Sequence, residues 1–223
     1  MVRTVAIIPA RAGSVQLPRK NRQRVGGQSL VERAIDHARK SGRCAEVVVT
    51  TDDPVLARQT LRLGATVIRR PRSLAGPRAT TSSVVMHALR RLAREGRTCD
   101  RVVVLQPTSP LRRPSDVTRA LQLHDRSAGR NVISVVALKG AHWAMRRLSD
   151  GRLVPQEARS FARRRQDLGT LYAPNGAIYV VDARRISGPW FADAVGYVMP
   201  RERSVDIDDA FDLHVARALA AKT

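Results

Sequence analysis

Aromatic residues make up only 4% of this 223-residue chain, and it has two cysteines. So few rings mean a core assembled from Val, Leu, Ile and Ala, and a 43% hydrophobic content is enough to build one. Cys44 and Cys99 show no motif spacing, which argues against a disulfide or metal pair. They read as small buried hydrophobes. No apolar run approaches the ~18–20 residues of a membrane-spanning helix. The first ten residues lack the apolar stretch and cleavage site of a secretory signal. There is no internal repeat and no low-complexity linker. The expectation is one soluble, cytoplasmic domain spanning 1–223.

Lysine is also scarce. Only Lys20, Lys40, Lys139 and Lys222 contribute to the 40 basic residues, and the rest are arginine. The formal net charge is +21. Such a charge invites a nucleic-acid-binding reading, which predicts salt-sensitive retention on DNA or RNA. However, the arginines are scattered and form no basic tail, and codon bias accounts for so lopsided a ratio as readily as selection at a surface. Acidic small-molecule substrates explain the local clusters better, the densest being Arg163-Arg164-Arg165.

The most informative stretch is near the start. Val5 to Ile8 is a short β-branched run suited to a strand covered on both faces, and Pro9 ends it. Ala10, Ala12, Gly13 and Ser14 keep side chains small, so that backbone N–H groups can approach an anion. Arg11, Arg19 and Lys20 add charge. The loop matches neither the P-loop nor the dinucleotide fingerprint. It is a polyphosphate cradle or an ordinary basic surface loop.

Downstream, Ser29 and Glu32 form a capping box for a helix over about 30–41 that stops near Gly42. Ala45 to Thr50 is a valine-rich strand. Asp52-Asp53-Pro54 opens a second helix that ends near Gly64, and 65–68 is a third strand. Strand, helix, strand, helix, strand predicts a parallel, doubly wound α/β sheet, whose ligands sit at the C-terminal ends of the strands. A polar loop over 69–82 leads into a helix over about 81–95. Val102 to Leu105 is a strand broken by Gln106-Pro107-Thr108-Ser109-Pro110. Pro114 starts another helix, and strands follow at 132–138, 176–181 and 195–199. The pattern weakens between 139 and 170, which reads as an excursion or an oligomer arm. The last helix covers about 209–221.

Asp206 and Asp208 flank Ile207. In extended chain both carboxylates point one way, toward a hard cation such as Mg²⁺, while Ile207 faces the core. The alternative is an N-cap pair for the last helix. The five histidines form no ligand set, and His37 and His87 fall inside helices. With no nucleophile triad evident, any reaction rests on positioning and charge neutralisation.

Several blocks together resemble the acylneuraminate cytidylyltransferase family, the CMP-sialic acid synthetases and their nonulosonate relatives. They are I-I-P-A-R-A-G-S with P-R-K-N (Ile7 to Asn21), T-T-D-D (Thr50 to Asp53) and R-P-R-S-L-A (Arg70 to Ala75). L-Q-P-T-S-P-L-R (Leu105 to Arg112), R-R-Q-D-L (Arg164 to Leu168), N-G-A-I-Y (Asn175 to Tyr179) and D-I-D (Asp206 to Asp208) follow in the family's order. The resemblance implies a Rossmann-like nucleotidyltransferase fold with a mainly parallel central sheet, helices on both faces and an irregular dimerisation insertion at about 139–170. It implies transfer of a cytidylyl group from CTP to the anomeric hydroxyl of an acidic 2-keto sugar, with release of pyrophosphate. By the same resemblance Arg11, Ala12, Gly13, Ser14, Lys20 and Asn21 hold the CTP phosphates and ribose, and Arg70, Ala79 and Thr81 recognise cytidine. Gln106, Arg165, Gln166, Asn175 and Tyr179 lie by the sugar acid, Asp206 and Asp208 bind Mg²⁺, and Arg11, Lys20 and Asp208 act in catalysis. A homodimer is implied as well.

The sequence departs from the family in places. Val15 and Gln16 replace a common Lys-Gly, with Arg19 or Arg22 as candidate substitutes for the missing cation. Pro77 occupies a common Asp position, and Ala173 replaces an arginine found in some relatives. Trp190-Phe191 falls near an aromatic pair that contacts the sugar's acyl group in relatives, or else packs under a loop. Rival readings are transfer to an octulosonate or phosphonate, and a nucleotide-binding homologue with weakened catalysis.

Overall fold

The computed structural model describes residues 2–14, 16–138, 146–149, 152–155 and 170–221. Its centre is a seven-stranded sheet. Strand β1 (Thr4–Pro9) pairs in parallel with β4 (Glu46–Thr51) on one side and β6 (Arg101–Leu105) on the other. Beyond β4 lies β5 (Thr66–Arg69), also parallel. Beyond β6 come β10 (Tyr172–Asp182), β7 (Val132–Ala137) and β11 (Val195–Met199).

β10 runs antiparallel to both β6 and β7, while β11 is again parallel to β7. The sheet is therefore mainly parallel with one reversed strand. That reversal was not legible, because β10 is buried on both faces and its apolar run carries no sign of direction. It also starts four residues before the expected 176.

Alternation along β1 builds the two cores. Ala6 and Ile8 face α1 (Leu30–Lys40), α2 (Pro54–Arg62) and α4 (Pro114–Arg126), through Val31, Ala34, Ile35, Leu56, Val117 and Leu121. Val5 and Ile7 face α3 (Thr81–Arg94) through Val85, Ala88 and Leu92. Helices thus cover both faces. A third small cluster holds Leu17, Val25, Leu30 and Ile207 against α5 (Ala210–Ala220). Cys44 and Cys99 are free and half-buried against the cores.

The capping box at Ser29 is in place: the Ser29 amide donates to Glu32 Oε2 at 2.6 Å and the Glu32 amide to Ser29 Oγ at 3.2 Å. Two hairpins add to the elements expected from the sequence. β2 (Arg24–Val25) and β3 (Gln28–Ser29) turn at Gly26-Gly27, both at positive φ, where a Gly pair is the hairpin signal. β8 (Arg146–Ser149) pairs antiparallel with β9 (Arg152–Pro155), inside the expected excursion. The rest of that excursion lies outside the described residues. No helix among the described residues is long and apolar enough to cross a membrane.

Candidate functional site

The loops that leave β1, β5 and β6 at their C-terminal ends converge on a cleft of about 280 Å³. The chain crosses from β1 to β4 on one side and returns to β6 on the other, so the cleft sits at the switch point of the sheet. Arg11, Gly13, Ser14, Lys20 and Asn21 line it from the β1 side, Arg70 from β5, and Gln106, Pro107 and Thr108 from β6. Pro77, Ala79 and Thr81 close it ahead of α3, and Asp206 and Asp208 face in from the segment before α5.

Local hydrogen bonds explain why the first loop holds its shape. The Ala12 amide donates to Asp52 Oδ1 at 2.9 Å, and Asn21 Nδ2 donates to the Arg11 carbonyl at 2.9 Å. Ala12 is therefore a corner of the loop whose N–H is already used. Asn21, buried, braces the loop from beneath. Arg22 chelates Asp53, with Nε to Oδ2 at 2.7 Å and Nη2 to Oδ1 at 2.5 Å, so it is not the spare cation for the missing lysine. Arg19 is exposed and lies outside the cleft lining. Val15 lies outside the described residues.

Arg70 is buried; its Nη2 donates to the Thr50 carbonyl at 2.9 Å, and burial lowers its pKa, with Arg11 adding to the effect. Lys20 Nζ lies 3.0 Å from Asp208 Oδ1, a cation and an anion meeting across the cleft.

In the D-I-D segment Ile207 is fully buried between its two acidic neighbours. The N-cap alternative falls away here. Asp209 caps α5, its Oδ1 accepting from the Asp212 amide at 3.0 Å, which leaves Asp206 and Asp208 to the cleft. Asp208 is exposed, whereas Asp206 is mostly buried. Burial raises the Asp206 pKa, the Thr108 hydroxyl opposes this by hydrogen bonding, and Asp208 adds to the rise. Asp206 Oδ1 has no hydrogen-bond partner among the described residues. The segment is fastened to the β6 loop by the Ile207 amide, which donates to the Thr108 carbonyl at 2.8 Å.

Two expected sugar-acid residues are placed differently. Asn175 is turned inward: its Oδ1 accepts from Ser134 Oγ at 2.6 Å and its Nδ2 donates to Ser204 Oγ at 2.9 Å. It binds strand to loop and does not line the cleft. Tyr179 lines an adjoining hollow of about 290 Å³ with Thr81, Trp190 and Phe191. Its hydroxyl is hydrogen-bonded to Gln106, and its ring packs on Trp190 at 5.8 Å between centroids. Trp190 is buried core and Phe191 is exposed, so the pair divides between packing and surface. Arg165 and Gln166 lie outside the described residues.

Three residues that sequence reasoning passed over hold the cleft together. Arg112, buried, donates through Nη1 to the carbonyls of Gln106 at 2.6 Å, Ser109 at 3.0 Å and Ala177 at 3.3 Å. Asp116 accepts from Arg203 Nε at 3.0 Å and Nη2 at 2.9 Å, tying α4 to the turn that precedes D-I-D. Arg112 ends the L-Q-P-T-S-P-L-R block, but nothing in its spacing announces a buried guanidinium. Asp116 also helps to cap the start of α4, accepting from the Arg113 amide at 2.8 Å.

The comparisons with known proteins agree with this geometry. Among solved structures, the fold superposes on a CMP:2-keto-3-deoxy-manno-octonic acid synthetase complexed with CTP, with a TM-score of 0.74 at 19% identity over 99% of both chains. By sequence the chain is 34% identical over 188 residues to the CMP-N,N'-diacetyllegionaminic acid synthase of Legionella pneumophila, 83% of this chain and 80% of that protein. It is 30% identical over 221 residues to the N-acylneuraminate cytidylyltransferase of Streptococcus agalactiae, covering 96% of this chain but 52% of that protein, about half its length. The pseudaminic acid cytidylyltransferase of Campylobacter jejuni is 26% identical over 98% of this chain and 96% of its own. Residues 5–148 match the family described as cytidylyltransferase, and the chain belongs to that family.

Proposed function

We propose that this protein transfers a cytidylyl group from CTP to the anomeric hydroxyl of a nonulosonic acid, a nine-carbon 2-keto sugar acid, and releases pyrophosphate. The new O–P bond forms at the α-phosphate while the bond to the β-phosphate breaks. The observation that carries the reading is the facing of Arg11, Ser14 and Lys20 against Asp206 and Asp208 across one cleft at the switch point of the sheet. Relatives named for legionaminic, neuraminic and pseudaminic acids support the acceptor class.

Arg11 and Lys20 bring positive charge to the triphosphate, and the small residues Gly13 and Ser14 leave room for it. Arg70, Ala79 and Thr81 form the base end, and Gln106 with Tyr179 the acceptor end, next to the apolar hollow at Phe191. Asp206 and Asp208 would hold Mg²⁺, and the partnerless buried Oδ1 of Asp206 fits a hard cation better than it fits a cap. When bound, the ion supplies charge neutralisation beside the transferring phosphate. Lys20, paired with Asp208, holds its ammonium at the same point. The assembly is a homodimer in this reading, supported by the exposed apolar Leu138, Leu171 and Tyr172 at the roots of the excursion. A reducing cytoplasm suits the two free cysteines.

The test is pyrophosphate release from CTP and Mg²⁺ with a panel of nonulosonic and octulosonic acids, beside an Asp208→Ala control. Release with one nonulosonic acid, lost in the control, is the expected result. Silence across the panel with CTP still bound would make the protein a nucleotide-binding homologue. Salt-sensitive retention on RNA without CTP binding would favour the nucleic-acid reading.

A further inference from the structure

β10 does not run evenly against β7. Its pairing slips between Pro174 and Tyr179, so residues 175–178 form a bulge opposite Ser134. Bulges beside a site re-aim the groups around them. Gly176 takes a φ of +72° in the bulge, a conformation that glycine adopts without strain. Asp206 packs against this bend: a Cβ on Gly176 would stand 3.0 Å from Asp206 Oδ2. The bulge is therefore one wall of the place where the Asp206 carboxylate lies.

The Asn175 side chain makes up for the strand pairing that the bulge gives up. Its Oδ1 accepts from Ser134 Oγ at 2.6 Å and from the Ala177 amide at 3.2 Å, and the Ile178 amide donates to Ser134 Oγ at 2.8 Å. The Ala177 amide can only donate, which fixes the side on which Oδ1 lies. Nδ2 serves the other side, donating to Ser204 Oγ at 2.9 Å and to Met199 Sδ at 3.4 Å. A carboxamide offers two acceptor sites and two donor protons, so these bonds use its whole capacity inside the protein. Ser204 in turn donates to the Pro200 carbonyl at 2.9 Å, and it stands two positions before Asp206. On the other side of Asp206, the Ile207 amide is held by the Thr108 carbonyl. Asp206 thus has three supports, at Ser204, Ile207 and Gly176, and Asn175 governs two of them.

We propose that Asn175 is a positioning residue for the acidic pair: through Ser204 and the bend at Gly176 it sets Asp206 against Asp208, and it makes no contact with the acceptor sugar. This rests on the reading of Asp206 and Asp208 as the residues that hold Mg²⁺. Groups standing behind a ligating carboxylate fix its orientation, and losing one typically weakens metal affinity by about 10- to 100-fold.

The test titrates Mn²⁺, a spectroscopically visible substitute for Mg²⁺, against the full chain without nucleotide and follows the free ion by electron paramagnetic resonance. Asn175→Ala opens a hole in a buried network, so the half-buried Ser204 carries the deciding substitution. Ser204→Ala should weaken Mn²⁺ binding by about tenfold, and Ser204→Thr, which keeps the hydroxyl, should match the wild type. Asn175→Ala, if its circular dichroism spectrum is native, should weaken Mn²⁺ as well, and the double variant should be no weaker than Asn175→Ala alone. CTP affinity in chelator and the KM for the acceptor should not change in Ser204→Ala, while its pyrophosphate release should demand more Mg²⁺.

Wild-type Mn²⁺ affinity in Ser204→Ala overturns the proposal. A lower Tm alone would then mark the network as structural, and a raised acceptor KM in Asn175→Ala would mark a sugar contact. A wild type that binds no Mn²⁺ would bring down the metal reading itself, and the proposal with it.

Discussion

Asp206→Asn should make the protein more stable and much less active. The substitution is isosteric and keeps an acceptor for the Thr108 hydroxyl, while it removes a mostly buried charge whose Oδ1 has no hydrogen-bond partner among the described residues. Removing the buried charge relieves its desolvation and its repulsion from Asp208, worth about 1–3 kcal/mol even though the Asn amide nitrogen gains no acceptor at the Oδ1 position. Against this stands the lost attraction to Lys20, which pairs with the exposed Asp208 and so contributes at most about 1 kcal/mol. The balance is a gain of about 1 kcal/mol, or roughly 2–4 °C in Tm for a chain of this size. Differential scanning calorimetry in a chelating buffer measures it. Adding Mg²⁺ at 100 times Kd should then stabilise the wild type by about 2.7 kcal/mol, raising its Tm, and leave the variant unmoved. Turnover of the variant should fall by roughly 10²-fold or more, the size of losing one preorganised electrostatic contact. A variant that melts at or below the wild-type temperature in chelator would refute the reasoning, because Asp206 would then be a satisfied structural carboxylate.

Asp116→Asn should cost about 2–3 kcal/mol, since it breaks a two-pronged contact between a fully buried carboxylate and Arg203; urea denaturation at neutral pH reads it. Acid should act on the same bonds. Burial by itself would raise Asp53 and Asp116, but hydrogen bonds from Arg22 and Arg203 and from backbone amides outweigh it and hold both below the usual carboxylate value. Their contribution is complete above the unfolded value of about 3.9 and is lost as pH falls through the lower folded values, so unfolding monitored against pH should steepen below about pH 4 and flatten in Asp53→Asn. Gly176→Ala should cost about 1–2 kcal/mol from its φ of +72°, and should lower turnover as well, because the new Cβ would stand 3.0 Å from Asp206 Oδ2. Wild-type turnover in that variant would show that Asp206 tolerates displacement.

Much of the fold could be read along the chain because local signals and global structure agree. The Ser29 capping box, the Asp53-Pro54 helix start and the valine runs of β4 and β6 each specify one element without reference to anything distant. The D-I-D alternation placed Ile207 inward and its neighbours toward the cleft by the period of extended chain alone. What stayed hidden depends on partners far away in sequence. The direction of β10 is decided by its pairing with β6 and β7, and Asp116 meets Arg203 across 87 residues. Asn175 sits in a recognisable block, yet which side of the strand its amide serves is set by Ser134 and Ser204. Arg112 gives no hint of burial, because an arginine after an apolar residue and a proline usually belongs to the surface.

The reversed strand has a topological consequence. β7 ends, and β10 begins, at the edge of the sheet where the cleft opens; the Leu138 amide still donates to the Leu171 carbonyl at 2.9 Å across that junction. Whatever chain is inserted between those two points must leave and re-enter at the edge of the sheet where the cleft opens. Had β10 been parallel, the same insertion would have had to return to the opposite edge before the strand could start. The segment between β7 and β10 can therefore lengthen, shorten or change composition during evolution without disturbing the loops that hold the nucleotide. A single antiparallel pairing thus keeps the inserted segment apart from the loops of β1, β5 and β6 that line the cleft.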